Sequence, residues 1–120
     1  MGRDELMDSE TVQRPWGTYT TLGQWSNEIT LKVLKVNPRS RTSLQKHEHR
    51  DEEWICLSGR AKVTIGKRNF VLRVGKKAFI PRRRLHRVAS IEGTEVLEVS
   101  YGRFDENDVV RVEDDYGRAR

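Results

Sequence analysis

The sequence predicts an all-β, single-domain barrel on three observations. Apolar and polar residues alternate with a period of two through most of the chain. Turn residues recur every ~8–12 residues between the alternating segments. No long stretch carries a 3.6-residue apolar period, and only 105–112 (DENDVVRV) reads as either one helical turn or an extended tail.

Taken in order, TYTTL (18–22) is a short β-prone segment. EITLKVLKV (28–36) alternates at Ile29, Leu31 and Val33 and changes phase at Leu34 and Val36, which predicts a bulge or bend. AKVTI (61–65) and FVLRV (70–74) alternate, and KKAFIP (76–81) and HRVASI (86–91) are further strand candidates. TEVLEVSYG (94–102) sets Leu97, Val99 and Tyr101 against Glu98 and Ser100. Turns are predicted at Asn37-Pro38, Ser58-Gly59, Gly66, Gly75 and Glu92-Gly93. Residues 1–13 read as an N-terminal arm and 14–118 as the barrel. Trp16 and Trp54 are expected to plug or cover the core, and Cys56 to be a buried small hydrophobe.

With 120 residues, 35% hydrophobic and 34% charged, the chain can bury one modest core. No apolar run approaches the ~18–20 residues of a membrane span, so no membrane association is expected. The polar, acidic start MGRDELMDSE does not read as a signal peptide. The single cysteine allows no internal disulfide, and a cytoplasmic setting is expected.

Net charge is +5 and unevenly placed. Arg60 to Arg87 holds eleven Lys/Arg and no Asp/Glu; Asp105 to Asp115 holds six acids and one arginine. The basic block suits an anionic partner, or it is the solvated face of strands whose lysines discourage edge pairing. Nucleic acid is not the expected partner, because no aromatic residues interleave the block for base stacking. The acidic tail is expected to fold back on the barrel or on a partner.

The stretch LQKHEHRDEEW (44–54) carries the chemistry. On a strand, Gln45, His47 and His49 share one face. Two imidazoles and an amide facing inward, with Glu52 or Glu53 and the third histidine, His86, would make a divalent-metal site. The alternative is a surface pair of histidines. Glu52 precedes Gly59 by seven residues, and Gly75, Pro81 and His86 follow in order.

These two segments resemble the paired signature motifs of the cupin superfamily, whose fold is a jelly-roll β-barrel. The resemblance implies that His47, His49, Glu52 and His86 are metal ligands, with Gln45 as an extra ligand or a donor behind them. Spacing to Gly59 favours Glu52 over Glu53. Arg14-Pro15-Trp16-Gly17 with Tyr19, LQKHEHRDEEW, SGRAKVT (58–64), FIP (79–81), His86-Arg87 and DENDVVRVEDDYGR (105–118) narrow the match. Over residues 14–118 the chain resembles the type II mannose-6-phosphate isomerase domain. That domain also forms the C-terminal part of bifunctional mannose-1-phosphate guanylyltransferases.

The resemblance implies interconversion of mannose 6-phosphate and fructose 6-phosphate, a divalent cofactor (zinc, manganese, iron, nickel or cobalt), and a homodimer. Such chemistry needs a base at a C–H bond and arginine forks on phosphate. Glu53 is a candidate base, or else a surface acid beside Arg50. Arg87, Arg84, Arg82 and Arg50 are candidates for the phosphate. The chain departs from the family pattern at Glu53, where the family has histidine. It departs again at Arg39 and within Arg82–Leu85, where the family has glycine. A non-catalytic cupin binding a sugar or small anion is the second reading.

Overall fold

A computed structural model describes residues 10–26, 28–103, 105 and 107–118. The all-β expectation holds: the described residues form eleven strands and no helix. They are β1 (Glu10–Arg14), β2 (Gly17–Trp25), β3 (Ile29–Val36), β4 (Ser40–Arg41), β5 (Leu44–Lys46), β6 (Arg50–Ile65), β7 (Arg68–Arg73), β8 (Lys77–Ile80), β9 (His86–Ser90), β10 (Thr94–Gly102) and β11 (Val110–Glu113). Of the arm expected over 1–13, residues 10–13 run in β1, which pairs with β2; residues 1–9 lie outside the described residues.

All pairing is antiparallel. One sheet runs β1-β2-β3-β10-β6, with β8 also on β6; the other gathers β7, β6, β9, β5 and β11, with β4 on β9. β6 belongs to both, its first half pairing with β10 and β8 and its second half with β7 and β9. That shared strand curls the sheets around one interior.

The corner in β6 lies at Ser58-Gly59, where a turn was expected. Gly59 has φ of 69°, and a Cβ there would collide with the Gly93 carbonyl. Glycine lets the strand bend and switch sheets without ending.

β3 also differs from expectation. It keeps one phase: Thr30, Lys32, Leu34 and Val36 are buried, while Ile29, Leu31 and Val33 face outward. The bulge lies in its partner β2, between Thr21 and Gly23. In β10 the buried phase is likewise Thr94, Val96, Glu98 and Ser100.

Register stacks these residues into rows. Leu34, Val96 and Cys56 align, then Lys32, Glu98 and Trp54, then Thr30, Ser100 and Glu52. The interior thus passes from an apolar layer to polar ones. Val36, Trp54, Cys56, Ala61, Val63, Ile80, Val88 and Val96 are essentially sealed from solvent. Each large side chain so buried contributes about 1.5–3 kcal/mol, and this layer supports the polar end where the site lies.

The tail returns to the barrel. β11 pairs with β5, Asp115 takes a fork of two hydrogen bonds from Arg41 at 2.7 and 2.8 Å, and Glu113 meets Arg87.

Candidate metal centre

His47, Glu52 and His86 are buried together at the polar end of the interior. One ligand atom of each lies within 4.8 Å of the others. His47 Nε2 and His86 Nε2 are each 3.5 Å from a Glu52 oxygen, and the two rings are 5.0 Å apart. Trp54 packs edge-on against His86 at 5.4 Å.

Both imidazoles have their tautomer set by a carbonyl. His47 Nδ1–H donates to the Asp108 carbonyl at 2.7 Å, and His86 Nδ1–H donates to the Arg84 carbonyl at 2.9 Å. A carbonyl only accepts, so each Nε2 presents a lone pair to the interior. The His47 pKa is pushed down to about 3, first by burial, then by the charges of Arg50 and His86. His47 is therefore neutral at ordinary pH.

Among the described residues, Glu52 Oε1 and His86 Nε2 have no hydrogen-bond partner. Two buried acceptors facing each other without a donor are costly, and a divalent cation between them removes that cost. The donor set of two imidazole nitrogens and a carboxylate suits zinc, manganese, iron, nickel or cobalt. On these grounds the residues fit a metal.

One side chain competes for the same donors. Arg50 is buried, and its Nε donates to Glu52 Oε2 at 2.9 Å. Its Nη2 donates toward His47 Nε2 at 3.2 Å. A metal held by all three residues must displace Arg50 from His47.

The other expected site residues fall in different places. Gln45 lies directly opposite His86 in register, lines a cavity together with His47 and accepts from Ser43 Oγ at 3.1 Å. His49 is exposed and outside the cluster. Its expected place assumed a continuous strand, but the chain leaves β5 after Lys46 and bends over 47–49. The Asp108 carboxylate holds that bend by accepting the N–H groups of Glu48 and His49. The bend turns His49 outward and Arg50 inward.

Glu53 stands on the opposite face of β6 from Glu52, as strand alternation requires. It meets Tyr101 at 3.3 Å and Lys77 at 3.6 Å, so the structure does not bring it to the cavity. Arg82 pairs with Asp51 at the surface, and Arg84 is exposed beside Gly66. Arg87 is buried on the other face of β9 from His86, where it donates to the Thr42 carbonyl and Glu113. None of the three lines the cavity that holds His47.

That cavity, of about 80 Å³, is instead walled by Arg14, Lys32, Arg50, Arg111 and Arg118, with Tyr19, Gln45, Trp54 and Glu98. Lys32 Nζ sits 4.1 Å over the Tyr19 ring. Glu98 accepts from Trp54 Nε1 at 3.2 Å, and burial and the neighbouring Glu52 charge push its pKa up. Sequence reasoning passed over Lys32 and Glu98. Alternation gave no signal for them: each stands between apolar neighbours and reads in sequence as the polar, outward phase of its strand.

A family model described as "Mannose-6-phosphate isomerase C-terminal" matches residues 1–114. "Alginate biosynthesis protein AlgA" of Pseudomonas aeruginosa is 38% identical over 98% of this chain and 25% of its own length. "Mannose-1-phosphate guanylyltransferase" of Sinorhizobium fredii is 37% identical over 88% of this chain and 21% of its own. The chain thus spans about a quarter of the length of these curated relatives. Among solved structures, an RmlC-like cupin from Shewanella frigidimarina superposes with a TM-score of 0.75 at 15% identity, covering 88% of this chain and 96% of that one. The fold is therefore a cupin barrel.

Proposed function

We propose a function from one premise: the chain belongs to the mannose-6-phosphate isomerase C-terminal family. On that premise it is a metal-dependent aldose–ketose isomerase acting on a sugar phosphate, with mannose 6-phosphate and fructose 6-phosphate as the pair. The observation that carries the reading is one cavity whose wall joins His47, a member of the buried His47, Glu52 and His86 cluster, to five cationic side chains.

The division of labour follows from charge. His47, Glu52 and His86 would hold the metal, with Gln45 beside them. When bound, the metal supplies Lewis-acid polarisation of the sugar oxygens. Arg14 and Arg111 would take the phosphate role first sought in Arg82, Arg84 and Arg87, since arginine forks match phosphate geometry, while Arg118 lines the same wall with its fork held by the Asp114 carboxylate. Arg50, on the same wall, would keep its hold on Glu52 and add positive charge near the anion. The apolar layer behind Trp54 keeps water out of the floor of the site.

A homodimer belongs to the same reading. Ile29, Leu57, Phe79 and Tyr101 are exposed apolar side chains on the outward phase of the β3-β10-β6-β8 sheet, a face suited to a second copy.

A second reading has its own observation. Arg50 already bonds to Glu52 and His47, so a built-in guanidinium can stand where a metal would act. The chain would then be a non-catalytic cupin that binds a sugar or small anion. The test is to load the protein in turn with zinc, manganese, iron, nickel and cobalt, then add mannose 6-phosphate. The isomerase reading predicts fructose 6-phosphate with at least one metal. Binding of the sugar phosphate without turnover under every metal contradicts it and selects the second reading.

A further inference from the structure

We propose that Glu98 is the base that moves the substrate proton, an assignment that rests on the isomerase reading. Among the described residues, Glu98 is the one carboxylate on the wall of the cavity. It is buried, yet it sits on an inward row between Lys32 on β3 and Trp54 on β6. The adjacent row carries Glu52. Glu98 and Glu52 are thus diagonal neighbours on paired strands, a separation of roughly 7–8 Å, which leaves room for a substrate carbon between the carboxylate and the cluster.

The neighbours set its geometry and its task. Trp54 Nε1–H fixes one carboxylate oxygen at 3.2 Å, and Trp54 also packs against His86. One indole thus positions both the carboxylate and a member of the cluster. Lys32, directly across from Glu98, brings positive charge to where negative charge develops on the sugar oxygens. Glu53, a candidate base from sequence with a surface acid as the rival reading, faces away and engages Tyr101 and Lys77.

The step balances without an added oxidant or reductant. The Glu98 carboxylate takes the proton from C2 of the aldose. The C–H electron pair becomes the C1–C2 double bond, and the C1 carbonyl pair moves to O1, giving an enediolate. Glu98 returns the proton to C1 as the C1–C2 pair forms the new C–H bond. O1 gains a proton while the C2 hydroxyl loses one, and C2 becomes the ketose carbonyl. A proton carried by a carboxylate exchanges with solvent between the two transfers, so product formed in D2O carries deuterium at C1.

The experiment compares the metal-loaded wild type with Glu98→Gln and Glu98→Asp, using mannose 6-phosphate in D2O. Metal content, thermal melting, sugar-phosphate affinity, turnover and deuterium uptake are read together. Glu98→Gln should keep its metal and affinity and lose turnover and exchange by about 10²–10⁴-fold. Glu98→Asp, which keeps the charge but withdraws it by one methylene, should lose at least tenfold of both and serves if the glutamine variant does not fold. Turnover and exchange within threefold of wild type in either folded variant overturn the assignment. A wild type that takes up metal yet neither turns over nor exchanges overturns the isomerase reading itself, and this assignment with it.

Discussion

His47 is a base kept where a proton is unwelcome. Its ring is buried, its Nδ1–H is committed to the Asp108 carbonyl, and Arg50 faces its Nε2. In the folded chain it takes a proton only near pH 3, against 6.5 ordinarily. The unfolded chain therefore binds more protons between those values, and stability rises with pH across the window. The His47 contribution is full above about pH 6.5 and is lost as pH falls toward 3. In metal-free protein, denaturant unfolding at pH 7 and pH 4.5 should show wild type losing roughly 2–3 kcal/mol more than His47→Gln. Equal losses would mean that the ring is solvated.

At this scale the sequence was legible where a motif fixed the spacing. Glu52 was preferred over Glu53 by its distance to Gly59, and the two fall on opposite faces of β6. His49 was not legible, because its orientation depends on Asp108, some sixty residues later, bending the chain at 47–49. Glu98 and Lys32 were visible as letters, but their phase was misassigned. Their strands alternate apolar side chains outward as well as inward, so hydrophobicity alone did not say which face was the core.

Among elements, the turns carry two of the three family departures, at Arg39 and within Arg82–Leu85. Arg39 follows Asn37-Pro38 with φ of 56°, and Arg83 sits in the loop before β9 with φ of 69°. Both are left-handed conformations that cost a side chain roughly 1–2 kcal/mol and suit glycine. Arg83 has a tie that offsets this: its N–H donates to the His47 carbonyl at 2.7 Å and its side chain meets Glu48. Arg39 donates its backbone N–H to the Ile91 carbonyl at 3.1 Å, a bond that glycine preserves. Arg39→Gly should therefore raise stability by about 1 kcal/mol in chemical denaturation; a destabilised variant would show that the arginine side chain holds the turn. Turn positions were readable from Asn-Pro and glycine signals, whereas Ser58-Gly59 misled. A glycine permits a corner inside a strand as readily as a chain reversal, and only the Gly93 carbonyl pressed against it decides between them.

The whole molecule is a barrel closed by its own acidic tail. Basic strands and acidic tail meet through Arg41–Asp115 and Arg87–Glu113, and Val109, Arg111 and Arg118 of the tail complete the cavity wall. The uneven charge noted in the sequence is thus partly an internal fit, while the cations of the cavity wall come from outside the basic block, from Arg14, Lys32, Arg50, Arg111 and Arg118. Among the described residues no helix is long and apolar enough to cross a membrane. The central claim is that His47, Glu52 and His86, and not His49, form the metal site. It is tested most directly by measuring metal bound per chain for wild type, His86→Ala and His49→Ala after loading and desalting. The account predicts about one metal per chain in wild type and in His49→Ala, and almost none in His86→Ala. A wild type that takes up no metal, with Arg50 keeping its hold on His47 and Glu52, would contradict it.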